Sequence, residues 1–151
     1  MKLLKKLLIF FTTALALVMA DEPPKPELPT MTGESADQQL FFCTTRIEAK
    51  SADGKKNGVG TGFIVSEKID DSRQALFIVT CRHVLAGFEK ATVSFVGSKE
   101  GKPQLGQKCT VEIGDLQKAV YYNSDPTIDV AILPLVPILN YMLASGQTPF
   151  F

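Results

Sequence analysis

An all-β domain, a sandwich or a barrel of short antiparallel strands, is what residues 40–151 of this 151-residue chain predict. Three observations carry that expectation. From Leu40 onward, short runs rich in Val, Ile, Phe and Thr are separated by Gly, Asp, Asn, Ser and Lys. No long stretch ahead of the C-terminus repeats its apolar residues with helical period, which argues against a parallel α/β fold. Gly60 and Gly62 alternate with larger residues inside one run, as in a strand that bends tightly or lies close against another part of the chain.

The elements are taken in chain order. Lys2, Lys5 and Lys6 precede an apolar run from Leu7 to Met19, and the segment ends in Val18-Met19-Ala20. A basic start, a short apolar core and small residues before a cut after Ala20 predict a secretory signal peptide over residues 1–20. The run is shorter than the roughly 20 residues a spanning helix needs, so no stable membrane span is expected after cleavage. The expected location is secreted or periplasmic. Cleavage removes three of the 16 basic residues and none of the 16 acidic ones, leaving 13 against 16 and a net charge of −3. Such a balance names no partner, and nucleic-acid binding is not expected. Residues 21–39 hold four of the nine prolines together with Glu22, Glu27, Glu34 and Asp37, a composition that predicts a solvated linker.

Strands are expected at about 40–48, 58–66, 75–80, 91–96, 108–113, 117–122 and 129–135. Ala52-Asp53-Gly54-Lys55-Lys56-Asn57-Gly58 supplies turn-forming residues for a hairpin between the first two. The polar segment Glu67 to Arg73 predicts a solvated tip between the next two. Leu76-Phe77-Ile78-Val79 is continuously apolar, as a strand buried on both faces is. Of the three cysteines, Cys81 reads as a small buried hydrophobe, which leaves Cys43 and Cys109 as the remaining internal pair.

The candidate chemistry centres on His83 and Asp129. His83 is the single histidine, and an imidazole is the simplest general base near neutral pH. It lies in Cys81-Arg82-His83-Val84-Leu85-Ala86-Gly87, a segment that predicts one helical turn closed by Gly87 and a ring aimed from a strand end into a cleft. A base needs a carboxylate to fix its tautomer. Asp129, directly before Val-Ala-Ile-Leu, is expected to be partly buried and so to require a partner. Asp125 reads as an exposed turn residue, Asp115 as a strand-end residue, and Asp70 and Asp71 as parts of a charged hairpin tip. No phosphate loop, paired CxxC or HExxH is present, so no metal and no cofactor are expected.

Three segments together resemble a known family. Gly60-Thr61-Gly62-Phe63-Ile64-Val65, then Phe77-Ile78-Val79-Thr80-Cys81-Arg82-His83-Val84, then Ile128-Asp129-Val130-Ala131-Ile132-Leu133 look like the first half of a trypsin-like serine peptidase of the bacterial exported type. The interval from His83 to Asp129 is 46 residues, close to the roughly 45 of the chymotrypsin template, and His before Asp is that fold's chain order. The resemblance covers about residues 40–135. It implies a six-stranded antiparallel β-barrel, the first of a two-barrel fold, with His83 as general base and later acid, Asp129 holding its ring, and Gly60 and Gly62 structural. It also implies a polypeptide substrate.

The family takes its nucleophile, oxyanion donors and specificity pocket from a second barrel. Ser145 is the one serine after Asp129 and lacks the glycine-flanked loop of that nucleophile, while Cys43, Cys81 and Cys109 all precede Asp129. The expectation is therefore a truncated exported serine endopeptidase whose second barrel is missing, inactive alone. The alternative is a secreted non-catalytic binding module built on half of the fold, and a third arrangement has another chain supplying the missing half.

Overall fold

The computed structural model describes residues 34–151, so the signal peptide expected over 1–20 and most of the Pro-rich stretch 21–39 lie outside the described residues. Ser35 caps a helix, α1 (Ala36–Phe42), its hydroxyl oxygen accepting the Gln38 amide at 3.3 Å. There follow β1 (Thr44–Lys50), β2 (Asn57–Lys68), β3 (Gln74–Thr80), α2 (Arg82–Leu85), β4 (Lys90–Lys99) and β5 (Lys102–Ile113). The rest comprises α3 (Leu116–Ala119), β6 (Tyr121–Tyr122), β7 (Ala131–Pro134), α4 (Leu135–Ala144) and β8 (Pro149–Phe150). The strands pair antiparallel in the order β5-β4-β1-β2-β3-β7-β6, and β8 adds to β4. The all-β class expected from the strand pattern is thus the class adopted. Among the described residues no helix is long and apolar enough to cross a membrane.

Strand alternation sorts the side chains into two faces. Ile47 and Ala49 of β1, Ala91, Val93 and Phe95 of β4, and Val111 of β5 point inward and are buried. Ile78 of β3 and Ala131 and Leu133 of β7 join them, and Leu135, Ile138 and Met142 of α4 cover the same core. Each large aliphatic side chain sealed in this way contributes about 1.5–3 kcal/mol. Because β5 and β7 feed one core from opposite ends of the sheet, the sheet curls around it.

Gly60 and Gly62 lie on the inner face of β2, and each leaves room for one side chain. A Cβ at Gly60 would stand 2.6 Å from Cγ2 of Val84, and one at Gly62 would overlap Cγ2 of Ile78 and reach 3.0 Å from Cδ1 of Ile47. The glycines therefore mark close approach, one of the two meanings that their alternation allows.

Several expectations change. The sheet does not close into a six-stranded barrel, since β5 and β6 remain its two ends. The reason is local: β7 runs for only four residues and ends at Pro134, which has no N–H to donate, and the chain then turns into α4. A pocket of about 380 Å³, lined by Val111, Ile113, Tyr121, Leu133, Ile138 and Tyr141 among others, occupies the space between the two ends.

The strand expected at 129–135 is shorter because its apolar run spans both β7 and the start of α4, and an unbroken run carries no period to separate them. Pro137 is tolerated because it falls in the first turn of α4, where amides lack partners in any case. The strand expected at 40–48 starts later, at Thr44, because the Ser35 cap begins a helix. Strands expected at 91–96 and 108–113 extend into a hairpin turning at Glu100-Gly101, with the register shifted between Val96 and Gly97. The strand expected at 117–122 is divided between α3 and β6.

Candidate functional site

The site begins where β3 ends. The Thr80 hydroxyl donates to the Thr61 carbonyl at 2.9 Å, fixing the strand end against β2. Cys81 is still extended, and the chain then makes the single turn α2, closed by the Ala86 amide donating to the Arg82 carbonyl at 2.8 Å. Gly87, at φ 79°, leads the chain out of the turn in a conformation that side chains disfavour. Val84 and Leu85 are buried, and Val84 rests on Gly60, so the glycine of β2 sets how deeply the turn sits. His83, between these anchors and Arg82, faces outward.

Asp129 arrives on the loop between β6 and β7. Asn123 Oδ1 accepts the Asp125 amide at 2.9 Å, and Asp125 Oδ1 accepts the Thr127 amide at 2.9 Å and its hydroxyl at 2.7 Å. Arg82 ties this loop to α2. Its guanidinium lies 5.0 Å from the centre of the Tyr122 ring and donates to the Asn123 carbonyl at 3.2 Å. Reading the sequence missed that tie, since nothing in the spacing of Arg82 and Tyr122 signals contact.

The two residues meet through both oxygens of one carboxylate. Asp129 Oδ1 accepts the backbone amide of His83 at 2.9 Å, and Asp129 Oδ2 lies 2.6 Å from His83 Nδ1. An ionised carboxylate only accepts, so this contact places the proton on Nδ1 and leaves Nε2 with a lone pair. The amide of His83 first, and its ring second, hold the Asp129 carboxyl below the usual aspartate range.

A pH dependence follows. A carboxyl whose folded pKa is depressed stabilises the fold above its unfolded pKa, and that contribution is lost as pH falls through the folded value. The aspartate reference is 3.8, so the contact is expected to persist through mildly acidic solution and to fail only below about pH 4. Thermal melts between pH 7 and pH 2 should show a shallower acid loss for Asp129→Asn than for the parent; equal acid slopes would contradict this.

The pair is open to solvent, with the His83 side chain 72% and that of Asp129 52% exposed. This corrects the expected partial burial of Asp129 and the expected cleft. Asp129 lies before β7 rather than inside it, and the loop carries it clear of the sheet. Cys81 is likewise exposed instead of buried. Ile78 and Thr80 point inward, so alternation sends Cys81 outward, a signal already present in the sequence. The other aspartates are engaged elsewhere. Asp125 holds the loop, Asp70 pairs with Arg73, Asp71 with Lys68, and Asp115 with Lys118. Ser145 follows α4, and its hydroxyl donates to the Tyr141 carbonyl at 2.9 Å. Cys43 and Cys109 form no disulfide.

One grouping was not foreseen. Ligand atoms of Cys81, His83 and Asp129 all lie within 4.8 Å of one another. The chain matches no family model, no curated protein and no solved structure.

Proposed function

We propose that His83 and Asp129 are the general base and its orienting acid in an exported trypsin-like serine endopeptidase, with the curled path β5-β4-β1-β2-β3-β7 serving as the six-stranded half that bears them. The observation that carries this reading is the two-point contact of Asp129 on His83, at 2.9 Å to the amide and 2.6 Å to Nδ1. With the proton on Nδ1, Nε2 is ready to take one from a hydroxyl nucleophile. Asp129 then stabilises the imidazolium, which returns the proton to the leaving amine. Water exclusion strengthens such a pair, whereas here it is open, so the reading requires a second polypeptide body that covers it while supplying serine and oxyanion donors.

An exposed apolar face beside the pair supports this. By register, Phe63, Val79, Ile132 and Tyr121 form one outward row across β2, β3, β7 and β6, and Val65, Phe77 and Pro134 form the next. Phe63 is 57% and Tyr121 66% exposed. Monomeric proteins rarely leave rows of this kind uncovered. The same face also favours a second reading, a secreted non-catalytic module that binds a partner polypeptide there.

The test is covalent labelling of the protein, isolated from cells that make it, by a serine-directed fluorophosphonate, together with cleavage of an unfolded protein substrate. The peptidase reading expects an adduct on a serine and cleavage, both abolished in His83→Ala. Labelling that survives His83→Ala would sink it, and neither labelling nor cleavage in the parent would transfer the case to the binding module.

A further inference from the structure

We propose that Cys81, His83 and Asp129 form a binding site for a soft divalent cation, zinc above all. Its occupation takes the His83 ring out of proton transfer. The first statement stands on the three side chains alone; the second, as regulation of hydrolysis, rests on the peptidase reading.

The donor set is the starting point. A thiolate, an imidazole and one carboxylate are the ligands zinc takes, whereas calcium and magnesium require shells built from oxygen. Three protein ligands with a fourth position left to water or an external group form an open zinc site. The donors come from two segments fixed against each other, Cys81 and His83 around the start of α2 and Asp129 on the loop that Arg82 ties down. All three residues are exposed, so a cation reaches them without opening the fold.

The separations are close to those required. Zinc bonds of about 2.0 to 2.3 Å set tetrahedral donors roughly 3.3 to 3.6 Å apart. The His83–Asp129 contact of 2.6 Å must therefore lengthen by about 0.7 Å. The widest separation, no more than 4.8 Å, must shorten by up to about 1.5 Å. Rotation of exposed side chains covers both changes. No other such grouping of three His, Cys, Asp or Glu donors occurs among the described residues.

Competition with the pair does not depend on which ring nitrogen binds. A cation on Nδ1 replaces the proton that Asp129 holds, and one on Nε2 occupies the lone pair that takes the nucleophile's proton. Cys81 adds nothing to the proton relay, so its part in the cluster separates cation binding from hydrolysis.

The experiment is a titration of the full chain, kept reduced, first with cobalt as a spectroscopic stand-in and then with zinc in competition. One cobalt per chain should produce visible bands of a tetrahedral ion and a near-ultraviolet thiolate-to-metal band, both bleached by one equivalent of zinc. Cys81→Ser should remove the thiolate band and weaken zinc binding about 100-fold, at the upper end of what losing a mere supporting group costs. Asp129→Asn should keep the thiolate band and also bind zinc more weakly, and Cys43→Ser should change neither. Melting curves of each variant establish that it folds. Absence of a thiolate band, or zinc affinity unchanged by Cys81→Ser, overturns the site. In a preparation that hydrolyses peptides, zinc should inhibit, and Cys81→Ser should raise the zinc concentration for half-inhibition by a similar factor. Cobalt binding without inhibition would keep the site and remove its regulatory role.

Discussion

On the peptidase reading proposed above, Asp129→Asn is expected to lower peptide hydrolysis by about 10⁴-fold. The substitution preserves shape, and the amide oxygen can still accept from the His83 backbone. What changes is the ring. A carboxamide NH₂ facing Nδ1 donates to it, which favours the tautomer with its proton on Nε2 and removes the lone pair that takes the nucleophile's proton. The loss should therefore fall on kcat, with KM little altered, because a wrong tautomer weakens the transition state and not substrate binding. His83→Ala should lose at least as much. The check is kcat and KM for parent and variants, beside melting curves showing that each remains folded. A loss below tenfold for Asp129→Asn would remove Asp129 from its orienting role.

The largest effect on stability is expected where β2 meets β3. Ile78 is fully buried, and its Cγ2 fills the space left by the missing side chain of Gly62. Ile78→Ala should cost about 2–5 kcal/mol through lost burial and the cavity that remains. Gly62→Ala should cost about 1–3 kcal/mol for the opposite reason, since its new methyl overlaps Ile78 and must push against Ile47 as well. Together the two changes relieve each other, because the methyl at position 62 enters the cavity left at position 78. The double variant should be more stable than the sum of the singles implies, by about 0.5–3 kcal/mol. Urea unfolding of the four proteins measures this coupling directly, and additivity within about 0.5 kcal/mol would show that the two sites do not share space.

How far the fold could be read in advance depended on whether each segment carried its own punctuation. The hairpin at Ser51–Lys56 was legible because Asp53 and Gly54 are turn residues between alternating runs, and there Asp53 accepts the Ser51 hydroxyl at 2.6 Å. The turn before Gly87 was legible for the same reason. Residues 128–135 were not, because an apolar run that passes from strand to helix offers no period, and the strand expected at 129–135 runs through Pro134, where β7 ends and α4 begins. The open edge between β5 and β6 was equally hidden, since closure depends on how long β7 runs.

At the candidate site, the pairing of His83 with Asp129 was legible from a polar residue set directly before an apolar strand, which must find a partner. Its exposure was not. Apolar neighbours in sequence suggest burial, yet Ile128 and Val130 are themselves exposed on the loop that carries Asp129. Composition alone suggests a buried Cys81, whereas alternation from the inward Ile78 and Thr80 turns it outward. The tie from Arg82 to Tyr122 and Asn123 left no local trace, because it joins segments about 40 residues apart.

That long connection has a consequence in time. β3 and β7 pair across the whole of β4, β5 and β6, and closing a loop of that length costs several kcal/mol of chain entropy before any contact repays it. β1 to β5 are joined by hairpins and by the β1–β4 pairing, whose partners lie somewhat closer in sequence than those of β3 and β7, so they are expected to form first as the chain is made from its N-terminus. His83 thus waits in a nearly finished sheet until Ile128 to Pro134 arrives. The pair is completed by one of the last strands to join, and a half-made chain holds an imidazole with no acid to orient it.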